Sequence, residues 1–306
     1  MSEKEFNSVL IIGLGLIGSS LARAVQEYGL AENICGLDNN QKNIEKCQEL
    51  GILNKGFDNL KNFSHQFDLV IICSPLSTYK NIFSDLNKFI CQQTLITDVG
   101  STKMSVIKDF KDVVTNQHIK FIPGHPIAGL EKSGPDYGFA ELFANRFCIL
   151  TPIDNDIDSI KKITKFWNLI GMQVQIMDSE HHDRVLAMTS HIPQLIAYSI
   201  VATATELETH LKDEVIKYSA AGFRDFTRLA GSDPIMWRDI YSKNKEAVLE
   251  MLERFTEDLS ILQKAIRNDD LNFLENTFRT TREVRKTIEK LGQAGNFDPT
   301  ESKTIK

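Results

Sequence analysis

VLIIGLGLIGSSLARAV, residues 9–25, is the stretch whose reading decides the fold. Its apolar opening, Val9-Leu10-Ile11-Ile12, reads as a strand buried on both faces. Gly13, Gly15 and Gly18 then follow at the spacing of a dinucleotide fingerprint, just before a helical pattern begins. In such a unit the first glycine makes the tight turn, the second lets a pyrophosphate approach the backbone, and the third lets helix pack on strand. The helix N-terminus faces the phosphate charge. Gly13, Gly15, Leu16, Ile17 and Gly18 are therefore candidate cofactor-binding residues. Asp38 closes the next apolar run, where a carboxylate accepts from the adenosine ribose and repels a 2′-phosphate. Asn39 and Asn40 supply no arginine to hold such a phosphate, so NAD is favoured over NADP, with Lys42 the one nearby cation that weakens the preference.

Outward from this stretch, short Val- and Ile-rich runs alternate with helical patterns, as in a parallel sheet with crossover helices. The expected strands are 9–12, 34–37, 69–72, 94–97, 120–122, 147–150 and 173–176. After Asp178 the strand signals stop, and apolar residues recur at helical steps in 247–255 and 259–266. The fold class expected is an α/β Rossmann-type dinucleotide-binding domain, 1–178, followed by an all-α dimerisation domain, 179–291, and a loose polar tail, 292–306. A long helix, 179–209, is rich in small residues. Pro193 should kink it and free carbonyls near Ser190 and His191. So lean a helix argues for completion by a second copy of the chain, a homodimer through the helical domain.

Composition narrows the function classes. With 306 residues, 42% hydrophobic and 25% charged, the chain has length for two globular domains, and its net charge of -6 argues against nucleic acid as a partner. No apolar run approaches the roughly 18 residues of a membrane span, and MSEKEFNSV lacks the pattern of a signal peptide. A cytoplasmic protein without a membrane partner is expected. Cys35, Cys47, Cys73, Cys91 and Cys148 lack metal-ligand spacing and read as buried free thiols, and no metal is expected.

Chemistry-bearing residues cluster at the ends of the expected strands. In GHPIAGLEKSG, residues 124–134, His125 follows an apolar run directly and faces the substrate crevice of such a sheet, a good place for a proton acceptor. The loop holding Ser74, Pro75, Leu76 and Thr78, and the loop from Asp98 through Ser101, should line the nicotinamide half of the cleft. Asp98 also suits a turn or a helix cap, while Ser101 has a hydroxyl able to cap the next helix and orient a substrate hydroxyl. Arg224 and Arg228 stand one helical turn apart with Asp225 between them, a cluster able to hold a carboxylate. His181-His182 reads as a solvated polar turn.

GLGLIGSSLARA at 13–24, DVGSTK at 98–103, GHPIAGLEKSGP at 124–135, TSHIPQLIAY at 189–198 and GFRDFTRLAGSDPIMW at 222–237 together resemble the prephenate and arogenate dehydrogenase family. The resemblance spans nearly the whole chain, in order. It implies NAD(P)-dependent oxidative decarboxylation in tyrosine biosynthesis by a homodimer. By that resemblance His125 hydrogen-bonds the ring hydroxyl, Ser101 assists it, and Arg228 binds the ring carboxylate. Glu131 and Asp225 join the polar network, and His191 and Gln194 complete the substrate-binding set. Relatives that use prephenate commonly carry a histidine where this chain has Gln194, so both prephenate and arogenate stay open. A 3-hydroxy acid dehydrogenase or imine reductase has the same domain plan but does not explain His125 and Arg228 together. A non-catalytic NADH-binding redox sensor would need a basic DNA-binding module.

Overall fold

Strand β1, Phe6–Ile12, lies at the centre of a six-stranded sheet of order β3-β2-β1-β4-β5-β6, whose pairings are all parallel. Its partners are β2 (Ala31–Leu37), β3 (Lys55–Phe57), β4 (Leu69–Ile72), β5 (Thr94–Asp98) and β6 (Ile119–Ile122). Side chains alternate between two buried faces: Val9 and Ile11 enter one core with Leu21, Val25 and Phe166, while Leu10 and Ile12 enter another with Tyr79, Phe83 and Phe121. Burial on both faces is why the stretch from Val9 to Ile12 is apolar at every position rather than at every second one. The structure, a computed structural model, describes residues 4–60, 66–206, 214, 217–218 and 220–290.

Helices α1 (Leu16–Glu27), α2 (Gln41–Glu49), α3 (Tyr79–Phe89), α4 (Met104–Val113) and α5 (Ile157–Leu169) cross between strands. One expectation changes here. The runs at 147–150 and 173–176 leave the main sheet and form a separate one, β7-β8-β9, in which β7 (Gly124–Pro126) pairs antiparallel with β8 (Phe147–Leu150), and β8 pairs parallel with β9 (Gln173–Ile176). Pro123 sits at the transition. It lacks the N–H needed to continue a ladder, and its carbonyl accepts instead from Thr151 N at 2.9 Å. His125 is thus the middle residue of a short strand paired with Ile149 rather than a free strand end.

The long helix stays helical but loses its regular α pattern just before Pro193. Helix α6 (Ser179–Leu186) passes through a π-helical segment, Ala187–His191, into α7 (Ile192–Thr205). The carbonyl of His191 accepts from the Tyr241 hydroxyl at 3.1 Å. The run Ser179–Thr205 is long and apolar enough, by length and composition, to cross a membrane, contrary to the sequence reading. Charged and polar residues at its start interrupt the apolar pattern, so the sequence does not show the run. Along it His182, Asp183, His191 and Gln194 are buried, whereas Glu180, His181 and Arg184 are exposed. Helices α8 (Ala221–Thr227) and α9 (Pro234–Lys243) follow.

By packing, Met1–Ala247 forms one compact unit and Val248–Lys306 another. Within the first, Trp237 and Ile240 of α9 join the core around Tyr79 and Phe83, so the change from strands to helices near residue 178 is not a break in packing. The rest of α10 (Lys245–Arg267), with α11 (Leu271–Lys290), makes up the described part of the second unit, in which α11 buries no residue. Residues 207–209 of the expected helix and the tail 292–306 lie outside the described residues. Cys35, Cys47 and Cys148 are buried free thiols, whereas Cys73 is half-buried and Cys91 exposed.

Candidate active site

The strand order reverses between β1 and β4, which makes their carboxyl ends the switch point where α/β sheets bind ligands. Gly13 has φ +94°, and a Cβ there would lie 2.8 Å from the Cys73 carbonyl and the Ser74 nitrogen. A Cβ on Gly18 would come within 1.8 Å of the Gly13 oxygen. Around Gly15, by contrast, nothing lies within 4 Å of such a Cβ, which leaves a cradle directly before the N-terminus of α1. A dinucleotide pyrophosphate fits that cradle. Asp38 braces it: its carboxylate accepts from Leu14 N at 2.7 Å, Asn40 N at 2.8 Å and Asn43 Nδ2 at 3.3 Å. A carboxylate has about four acceptor positions, so capacity for a ribose hydroxyl remains.

The second cofactor loop is self-braced. The Ser74 and Thr78 hydroxyls lie 2.8 Å apart, and Thr78 also donates to the Pro75 carbonyl at 2.7 Å. Three sequence assignments need correction. Leu16 and Leu76 are buried core side chains, which leaves only their backbones to a cofactor. Asp98 makes the expected turn, its carboxylate accepting from the N–H two residues on, but it caps no helix and faces no cleft. It is fully buried, accepts from Gly100 N at 2.9 Å and Gly124 N at 3.0 Å, and pairs with Lys103 Nζ at 2.6 Å. Lys103 Nζ donates as well to the Gly124 carbonyl at 2.6 Å. The β5 loop and the strand carrying His125 are thereby bolted together. Ser101 is half-buried and caps no helix, since α4 begins after Lys103 without a side-chain cap from its own loop.

His125 is 8% exposed, and its Nδ1 lies 2.8 Å from Nε2 of His182. His182 is no solvated turn. It is wholly buried, and its Nδ1 stands 2.8 Å from Asp183 Oδ1. Asp183 in turn accepts from Lys103 N at 2.7 Å and Met104 N at 3.0 Å, capping α4 from another element. Burial, then the neighbouring His182 and Lys103, hold His125 well below the ordinary 6.5. Burial also lowers His182, against the pull of Asp183. Both rings are neutral at about pH 7. The signal for His182 was present in the sequence: in α6 it shares a helical face with Leu186, and both are buried.

The substrate candidates on α7 and beyond are placed less uniformly. His191 is fully buried, its ring edge-on to Trp237 and its Nδ1 3.2 Å from Asn244 Nδ2, and burial depresses it to about 4. Gln194 is buried and donates from Nε2 to the Leu229 carbonyl at 2.7 Å, in the turn that Arg228 opens. Arg228 is exposed and forms an ion pair with Glu131, which brings together two of the residues expected in one polar network. Asp225 and Arg224 are exposed on α8.

The chain matches the prephenate dehydrogenase nucleotide-binding domain over residues 21–176 and the prephenate dehydrogenase dimerization domain over residues 178–280. It belongs to the prephenate dehydrogenase family. A cyclohexadienyl dehydrogenase of Zymomonas mobilis is 36% identical, over 92% of this chain and 96% of its own. A prephenate dehydrogenase of Bacillus subtilis is 32% identical, over 91% of this chain and 75% of its own. The crystal structure of prephenate dehydrogenase from A. aeolicus, in complex with hydroxyphenyl propionate and NAD+, superimposes with a TM-score of 0.86 at 33% identity, covering 94% of this chain and 99% of that one. The chain is an NAD-dependent oxidoreductase. Because both halves match one family, the 3-hydroxy acid dehydrogenase and redox-sensor readings fall away.

Proposed function

We propose that the chain oxidises and decarboxylates prephenate, arogenate or both, yielding 4-hydroxyphenylpyruvate or tyrosine, with His125 as the base. The observation that carries this reading is a neutral, buried imidazole on β7, whose first residue hangs by its N–H from the Asp98 carboxylate at the carboxyl edge of the parallel sheet. When bound, NAD supplies the hydride acceptor. Gly13, Gly15 and Gly18 with Asp38 would hold its adenosine and phosphate half, and Ser74, Pro75 and Thr78 would line the other half.

The hydroxyl-bearing ring carbon loses hydride as its hydroxyl loses a proton, and neutral His125 takes that proton. Loss of carbon dioxide aromatises the ring and His125 returns the proton to the resulting phenolate oxygen, so the protein's task is positioning more than charge stabilisation. Arg228 supplies a planar donor set for the ring carboxylate, with the half-buried Ser101 hydroxyl near the ring hydroxyl. The Gln194 amide nitrogen is committed to Leu229, which leaves its carbonyl oxygen as an acceptor suited to the arogenate ammonium. Arogenate should therefore be accepted alongside prephenate.

Exposed Leu249, Leu259, Ile266 and Phe278 in the second unit support a homodimer through these helices, and cytoplasmic tyrosine biosynthesis is the setting that fits. Mixing the protein with NAD and either substrate and following NADH absorbance tests the reading. NADH from at least one substrate supports it, and none from either overturns it.

A further inference from the structure

We propose that His182 and Asp183 are positioning residues that set the tautomer of His125, so that its Nε2 carries a free lone pair. The inference rests on His125 being the base, and it adds what makes it one.

The direction of each hydrogen bond follows from the far end. Asp183 is an acceptor, held by two backbone N–H groups at the start of α4, Lys103 N at 2.7 Å and Met104 N at 3.0 Å. A ring nitrogen 2.8 Å from that carboxylate must be the donor, so His182 carries its proton on Nδ1. A neutral imidazole has one N–H, which makes His182 Nε2 an acceptor. His125 Nδ1, at 2.8 Å, must then donate to it. The only remaining nitrogen of His125, Nε2, is bare and able to take a proton. Were the relay reversed, Nε2 would be an N–H and His125 useless as a base. Burial lowers both rings and keeps them neutral, as the chain of donors requires. Lys103 adds precision, because its backbone binds Asp183 while its ammonium holds the Gly124 carbonyl beside His125.

The test compares three variants with His125→Asn. His182→Leu removes the acceptor, and Asp183→Asn allows an amide to donate to His182 and reverse the relay. Each should lower kcat by roughly 100-fold or more, within the range for general-base loss, while NAD affinity and substrate KM stay within about threefold. In Ser-His-Asp hydrolases the corresponding Asp-to-Asn change costs about 10,000-fold through the wrong tautomer. His182→Gln, whose amide oxygen can stand where Nε2 stood, should recover about tenfold or more over His182→Leu. Nitrogen-15 shifts of the histidines in the unaltered protein provide a reading independent of variant folding: His125 should be protonated on Nδ1. An Nε2-protonated His125, or a His182→Gln variant no better than His182→Leu, overturns the relay. If His125→Asn is inactive while His182→Leu turns over normally, the relay alone fails. An active His125→Asn removes the base assignment beneath it.

Discussion

Replacing Lys103 by Met, which keeps the side-chain length and removes the charge, should cost more stability than most single changes in this chain. Lys103 and Asp98 are both fully buried, and the ammonium makes two hydrogen bonds, to Asp98 Oδ2 and the Gly124 carbonyl, each at 2.6 Å. After the change Asp98 keeps Gly100 N and Gly124 N, with the Tyr79 hydroxyl beside it, but is a buried carboxylate without a counter-charge. Breaking one side of such a pair costs about 3–5 kcal/mol, and losing two hydrogen bonds to a charged group, at about 1.5–3 kcal/mol each, agrees with that range. For a unit of this size a kilocalorie is worth roughly 2–4 °C, so Tm should fall by about 6–20 °C. Thermal unfolding followed by circular dichroism reads the shift. Adding Asp98→Asn to Lys103→Met removes the stranded charge and should return about 2 kcal/mol relative to the sum of the two single changes. A loss under about 1 kcal/mol, or strict additivity in the double variant, would show that the two charges do not depend on each other.

Other outcomes follow from the same geometry. Gln194→His should raise the prephenate-to-arogenate ratio of kcat/KM, most strongly below about pH 6.5, where the new imidazole charges and repels the ammonium; a ratio constant with pH would take this position out of substrate choice. Arg228→Ala should raise substrate KM by about tenfold to a hundredfold, the worth of a charge-assisted contact, and an unchanged KM would leave Arg228 with only its Glu131 pair. His191 takes up its proton at about 4 in the folded chain instead of 6.5, so between those values the unfolded chain binds more protons. Its contribution is complete above 6.5 and is lost as pH falls toward 4, at about 1.4 kcal/mol per unit or roughly 3 kcal/mol in all. Urea unfolding across that window should show the slope, and His191→Gln should reduce it, leaving the part that His125 and His182 contribute.

The glycine loop, five of the six parallel strands and the strand-to-helix change are legible because each rests on local pattern: β-branched runs, glycine spacing and helical periodicity; the three-residue β3 is too short to show one. His125 stood out for the same reason, as a histidine directly after a strand. What could not be read was pairing across distance. That β7 leaves the main sheet depends on Pro123 meeting Thr151, and the role of Asp98 depends on Lys103 curling back onto it and Gly124 closing over it. Asp183 stabilises the start of α4 from 79 residues away, and no window of sequence contains both partners. His182 was misread because two adjacent histidines look solvated until helical phase is applied, which turns His181 outward and His182 inward. The ion pair of Arg228 with Glu131 likewise spans 97 residues, which no local pattern shows.

The account stands most directly on His125 as the base of an NAD-dependent oxidative decarboxylation. Pre-steady-state NADH formation by His125→Asn, measured beside the unaltered protein with saturating NAD and whichever of prephenate or arogenate it turns over, tests that claim. The prediction is unchanged NAD binding with NADH formation slowed by roughly 100- to 10,000-fold. NADH formation at the unaltered rate, with binding intact, would contradict it.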